Sequence, residues 1–133
     1  MKLHPKPAEA FGAAFLSTCE RALHQLQHDV PDLFSAMVST SDGFELAVIN
    51  RTQGNSRLAA LSSSLLAVSQ AAMRELKLSG TGSVLIENDS GKVLIIEART
   101  HPHHTVLCVA AGAPAMTGKL LWASKRCVRA LTA

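Results

Sequence analysis

A chain of 133 residues, 47% apolar and 17% charged, is sized for one domain with its own core and is too apolar for intrinsic disorder. Its 3 cysteines, Cys19, Cys108 and Cys127, stand far apart, which excludes a disulfide scaffold and any CxxC zinc or redox motif. The net charge of +3 conceals an asymmetry, because residues 92–133 hold six basic side chains against Glu97 alone.

The N-terminus carries one decoy. Lys2 and Lys6 precede an apolar stretch from Ala10 to Leu16, and Leu16-Ser17-Thr18-Cys19 has the outline of a lipoprotein cleavage site. Pro5, Pro7 and Glu9 crowd that stretch, and Thr18 suits such a site poorly. The longest apolar run, Val106 to Met116, is interrupted by Gly112 and Pro114 and falls short of the ~18 residues of a membrane span. The expectation is a single cytoplasmic domain over residues 1–133, with no membrane insertion.

Pro7 suits a helix start, where its missing N–H costs nothing. Phe11, Phe15, Ala22, Leu23, Leu26 and Val30 recur with helical spacing before Pro31, which predicts a first helix over 7–29. Two hairpins follow. Ala36–Thr40, Ser41-Asp42-Gly43 and Phe44–Ile49 read as strand, turn and strand, with Gly43 supplying a positive φ. Val84–Glu87 and Lys92–Glu97 repeat the pattern around Asn88–Gly91. A further run, Thr105–Ala111, is apolar almost throughout, so it belongs at the centre of the sheet, covered on both sides.

Between the hairpins, residues 57–78 predict a helix whose stripe of Leu58, Leu61, Leu65, Val68, Ala72 and Leu76 packs on the sheet. From Leu58 to Met73 no side chain is charged, and the positions off the stripe, Ala60, Ser63, Ser64, Ala67 and Ala71, are all small. A water-facing helix surface normally carries charge. Burial inside its own chain is one explanation, but two other helices hardly suffice to enclose it, and a second subunit on the small face is the favoured reading.

The last helix is expected from Pro114 to about Leu131, with Met116, Leu120, Ala123, Cys127 and Leu131 as its core stripe. Trp122 falls on the opposite side, among Lys119, Lys125, Arg126 and Arg129. Trp122, Arg126 and Arg129 are candidates for contacting a partner, against the alternative that the indole packs beside the first helix under an arginine. The order αββαβββα implies an α+β sandwich. Its five-stranded, mainly antiparallel sheet has the central helix on one face and the terminal helices on the other.

Catalytic signatures are missing. His24 and His28 lie four apart on a helix, and His101, His103 and His104 share a loop, but zinc wants three or four ligands, and polar helix surface and hairpin loop are the favoured explanations. Ser62-Ser63-Ser64 has no GxSxG elbow, and Gly80-Thr81-Gly82 lacks the third glycine and following helix of a dinucleotide loop. Cys108 and Cys127 read as small hydrophobes. The chain is expected to be no enzyme and to need no metal or cofactor. The aromatics form no stacking series for nucleic acid.

Ser39–Ala47, Arg57–Leu66, Leu85–Ile95 and the strand Val106–Val109 together resemble the Roadblock/dynein light-chain family, over residues 8–131. The resemblance implies the same αββαβββα fold, in homodimers or heterodimers whose central helices pair and whose third strands join two sheets into one. Val84 and Ile86 then enter the dimer interface. It also implies adaptor work. Members of the prokaryotic type partner small Ras-like GTPases, sometimes as GTPase-activating proteins, which makes Ser63 and Gln70 candidate partner-binding residues. Arg51 or Arg57 could be imagined as an arginine finger, but the family requires none and neither is assigned that role. The rival readings are a profilin-like or PAS-like domain enclosing a small-molecule cavity, and a scaffold without a GTPase partner.

Overall fold

The computed structural model describes residues 11–99 and 104–132. Along them run α1 (Ala13–Asp29), β1 (Leu33–Thr40), β2 (Glu45–Ile49), α2 (Asn55–Glu75), β3 (Ser83–Asn88), β4 (Gly91–Arg99), β5 (His104–Gly112) and α3 (Thr117–Thr132). The five strands form one sheet in the order β2-β1-β5-β4-β3, and every neighbouring pair is antiparallel. This is the expected architecture.

β5 takes the centre because every residue from Thr105 to Ala111 is buried. Alternation along the strands divides the core in two. Leu107, Val109 and Ala111 face α1 and α3 together with Val38, Leu94 and Ile96. Val106 and Cys108 face α2 together with Met37 and Ile95. α1 fills the first layer with Cys19, Ala22, Leu23 and Leu26, and α3 does so with Leu120, Ala123, Cys127 and Leu131. Cys19 is therefore a core residue of α1.

Three expectations change. α1 begins at Ala13 rather than at Pro7, because Gly12 takes a φ of +78° that breaks the helical path; residues 7–10 lie outside the described residues. α3 begins at Thr117 rather than Pro114, so Met116 precedes the helix and stands exposed instead of joining its core stripe. The largest change concerns α2. It rests on the sheet through Asn55, Ala59, Ser62 and Leu66, while Leu61, Val68, Ala72 and Leu76 of the expected stripe stand in solvent. Leu58 and Leu65 of that stripe are half-buried and do pack on the sheet side, beside the buried Leu66 and Ala59, against Met37 and Ile95.

Two glycines mark where backbones approach most closely. Gly43 has a φ of +96°, and a Cβ there would lie 3.0 Å from the Ala60 Cα, so the β1–β2 turn is seated against α2. A Cβ at Gly91 would lie 2.6 Å from the Ala111 carbonyl oxygen, inside the β4–β5 ladder. Backbone cannot yield there as a flexible side chain would. Gly91→Ala should therefore lower stability by about 1–3 kcal/mol, read as a lower urea midpoint with an unchanged m-value.

Burial also sets the chemistry of the thiols. It pushes Cys127 up to about 12 and Cys19 up to about 11, from an ordinary 9.0, and it raises Cys108 against the opposing effect of the Ser62 hydroxyl. Such thiols stay protonated in the fold while the unfolded chain ionises. Their contribution to stability is complete below about pH 8.5 and is lost as pH rises toward the folded-state values. The melting temperature should fall between about pH 8.5 and pH 11, and a Cys19→Ala/Cys127→Ala variant should show a flatter fall.

Candidate functional site

The position of α2 is fixed at its N-terminus by one buried amide. The Asn55 Oδ1 accepts the Thr52 N–H at 2.5 Å and the Thr52 hydroxyl at 3.3 Å, while its Nδ2 donates to the Ser35 hydroxyl of β1 at 3.3 Å. Farther along the helix, Ser63 donates its hydroxyl to the Ser41 carbonyl in the β1–β2 turn. Toward the far end, Gln70 Nε2 donates to Glu97 Oε2 of β4 at 3.2 Å. The helix thus crosses the strands from β1 to β4 with its rotation set by three polar contacts. That rotation decides which face is left over.

The face left over is apolar and uncharged. Leu61 is 57% exposed and Val68 is 68% exposed. Ser64, Ala71 and Ala72 are exposed with them, and the Ser64 hydroxyl turns back to the Ala60 carbonyl at 3.2 Å. A solvated helix face of this length would ordinarily carry charge. Beside it lies β3, an edge strand. Val84 is half-buried against the α2 layer, and Ile86, on the same face of the strand, is 43% exposed. With Phe34 and Val93, Ile86 lines an open hollow of ≈ 200 Å³. An unpaired strand edge next to an apolar helix face presents main-chain donors, main-chain acceptors and apolar area together.

The structure therefore separates the candidate interface residues into two groups. Ser64, Ala67, Ala71 and Ile86 are exposed on the surface formed by α2 and β3. Ala60 and Ser63 are small for another reason, since one accommodates Gly43 and the other ties down Ser41. Ser62 faces inward entirely. Gln70 is held by Glu97 and lines a narrow cleft with Ser63 and Ala67. Leu61 and Val68 stand on this exposed face although the amphipathic pattern assigns the larger apolar side chains to the sheet.

The other candidates lie across the molecule. Trp122 is 53% exposed on the outer side of α3, with the Arg126 guanidinium carbon 5.5 Å from its ring centroid. Arg126 also reaches Asp29 of α1 at 3.5 Å. Among the described residues Lys119, Lys125 and Arg129 have no ion-pair partner. Arg51 forms a two-pronged pair with Glu45, both contacts at 3.0 Å, which raises its pKa further. Arg57 stands exposed in the first turn of α2. His24 and His28 are exposed on α1, His104 opens β5, and His101 and His103 lie outside the described residues. Among the described residues no three His, Cys, Asp or Glu side chains gather as a metal site, and no helix is long and apolar enough to cross a membrane.

The family model of the Roadblock/LC7 domain matches residues 21–111, from the middle of α1 to the end of β5. A Roadblock/LC7 domain from Streptomyces avermitilis superposes with a TM-score of 0.76 at 24% identity, over 84% of this chain and 92% of that one. The gliding protein MglB of Thermus thermophilus superposes at 0.79 with 20% identity, over 91% and 90%. An MglB in a tetrameric arrangement superposes at 0.78 with 21% identity, over 91% and 89%. No curated protein sequence matches this chain. The structural neighbours show a common fold, and the family model shows the kinship: this chain belongs to the Roadblock/LC7 domain family.

Proposed function

We propose that this chain is a non-catalytic adaptor, a homodimer whose paired α2 helices and joined β3 edges form a platform for a small Ras-like GTPase. The observation that carries the reading is the exposed, uncharged face of α2 around Leu61 and Val68, set beside the open edge of β3. Burying a large apolar side chain fully is worth about 1.5–3 kcal/mol. A self-complementary face gains that on both protomers at once. Pairing the β3 edges satisfies the main-chain groups that a lone edge strand leaves open. The family supports the GTPase, since its prokaryotic members are known as partners of Ras-like GTPases.

A ligand-sensing domain of similar layering fits less well. The hollows beside residues 79–83, of ≈ 310 and ≈ 340 Å³, lie at the rim of the sheet rather than within its core. In this reading Ser63 and Gln70 shape the end of the platform, and binding modulates or localises the GTPase without a catalytic group from this chain.

Light scattering at micromolar concentration should give twice the 14.1 kDa of one chain. Val68→Glu or Ala71→Glu should give the monomer with its circular dichroism retained, because each buries an unpaired carboxylate in the pair. A wild-type monomer would remove the dimer from the proposal. Calorimetry with the Ras-like GTPases of the same genome, loaded with GDP or a GTP analogue, should show binding that depends on the nucleotide. Trp122→Ala should leave that binding unchanged. Silence in both nucleotide states across all of them would leave a scaffold for some other protein.

A further inference from the structure

The terminal helices do not cover the whole sheet. α3 packs mainly on β4, and α1 lies over β2 and β1, so β3 projects beyond both. On this face of the sheet, Ser83 pairs with Ile96 and Leu85 with Leu94. Leu94 and Ile96 are buried beneath the helices, whereas Leu85 is exposed among the described residues. A groove of ≈ 340 Å³ results between α3 and the start of β3, with Ile96 and the half-buried Val128 among its lining residues.

The wall contributed by α3 is cationic. Lys125 and Arg129 line the groove, and neither has an ion-pair partner among the described residues. Glu97, the acidic residue in the lining, is already engaged by Arg99 at 3.5 Å and by Gln70 at 3.2 Å. Two free cations therefore stand over an apolar floor, with the nearby carboxylate neutralised. Charge complementarity selects an anionic occupant, and the apolar floor selects one with a side chain to bury there. A nucleic acid backbone offers phosphates but no such anchor, and a flat membrane surface does not enter a groove of this width.

We propose that the groove between α3 and β3 binds an acidic segment of a partner protein, an apolar side chain of the segment seated on Ile96 and Val128 and its carboxylates paired with Lys125 and Arg129. This surface is separate from the α2 platform, and it assigns a role to the basic residues that the platform leaves unused.

The test is fluorescence anisotropy with a labelled dodecapeptide of glutamates carrying one central leucine. Saturable binding is expected, weakening as salt rises because exposed charge pairs are screened. Lys125→Glu/Arg129→Glu should weaken it about tenfold or more, with the melting temperature nearly unchanged because both side chains are exposed. Replacing the peptide leucine with serine should weaken it as well. Val68→Glu, on the opposite face of the molecule, should leave peptide binding intact, so failure of the dimer and failure of the groove are read separately. Absence of saturable binding, or binding indifferent to the double variant or to the leucine, overturns the proposal. So does preference for a single-stranded RNA or phosphatidylserine vesicles over the peptide in direct competition.

Discussion

Every ladder of the sheet except those inside the two hairpins runs through β5. β1 pairs with one side of it and β4 with the other, so the hairpins β1–β2 and β3–β4 meet only across this strand. A strand in that position has no face open to water, and from Thr105 to Ala111 it is buried throughout. Its side chains supply both cores at once, Leu107 and Val109 to the terminal helices, Val106 and Cys108 to α2. The closeness of the packing shows at its end, where Gly91 leaves no room for a Cβ beside the Ala111 carbonyl. The Gly112 N–H donates to the Asp32 carbonyl at 2.9 Å, which closes the sheet beside the entry to β1. Once β5 is seated, the outer strands β2 and β3 are edges by construction.

This dependence explains what was legible in the sequence. The unbroken apolar run Thr105–Ala111 announces a central strand, and the paired turn signals at Gly43 and Gly91 announce a hairpin on each side of it. Hence the element order, the layers and the open edge of β3 follow from local patterns. Element ends are less legible because they depend on single backbone conformations. Gly12 at φ +78° delays α1 by several residues in a way that the helical spacing of Phe11 and Phe15 does not reveal. The family was legible too, since it resides in the turns and apolar runs that build the sheet.

The rotation of α2 was not legible, and the reason is physical. An amphipathic reading assigns the largest apolar side chains to the core, which holds when the helix supplies the bulk of the contact. Here the centre of the contact is held by Asn55, Ala59, Ser62 and Leu66 against Met37 and Ile95, and of the expected stripe only Leu58 and Leu65 reach it, at its margin. Asn55 and Gln70 then hold the rotation by hydrogen bonds to β1 and β4, partners that lie far away in sequence. The absence of charge from Leu58 to Met73 is plain in the sequence, and in the structure half of that uncharged surface faces away from the sheet. Which half of the helix that face was could be decided only by the depth of the sheet beneath it. The small residues divide accordingly, Ala60 and Ser63 serving the β1–β2 turn and Ser64 and Ala71 lining the outer surface.

The two surfaces proposed for binding meet at β3. Successive side chains of a strand point to opposite faces of the sheet, so Val84 and Ile86 belong to the α2 side, while Ser83 and Leu85 belong to the side of α3. A dimer joined along its β3 edges would bring two α2 helices together above the seam. Below it, the two grooves would open on one face, toward opposite ends of the seam, each with its own Lys125 and Arg129. Two sites of one charge on one face favour a partner that spans both, with two acidic segments or a two-fold of its own, because the second contact forms at raised effective concentration. In that arrangement the GTPase platform and the acidic-segment grooves would be occupied at the same time, on opposite faces. The edge strand that is a liability in a lone domain would then be the element through which the two occupancies are coupled.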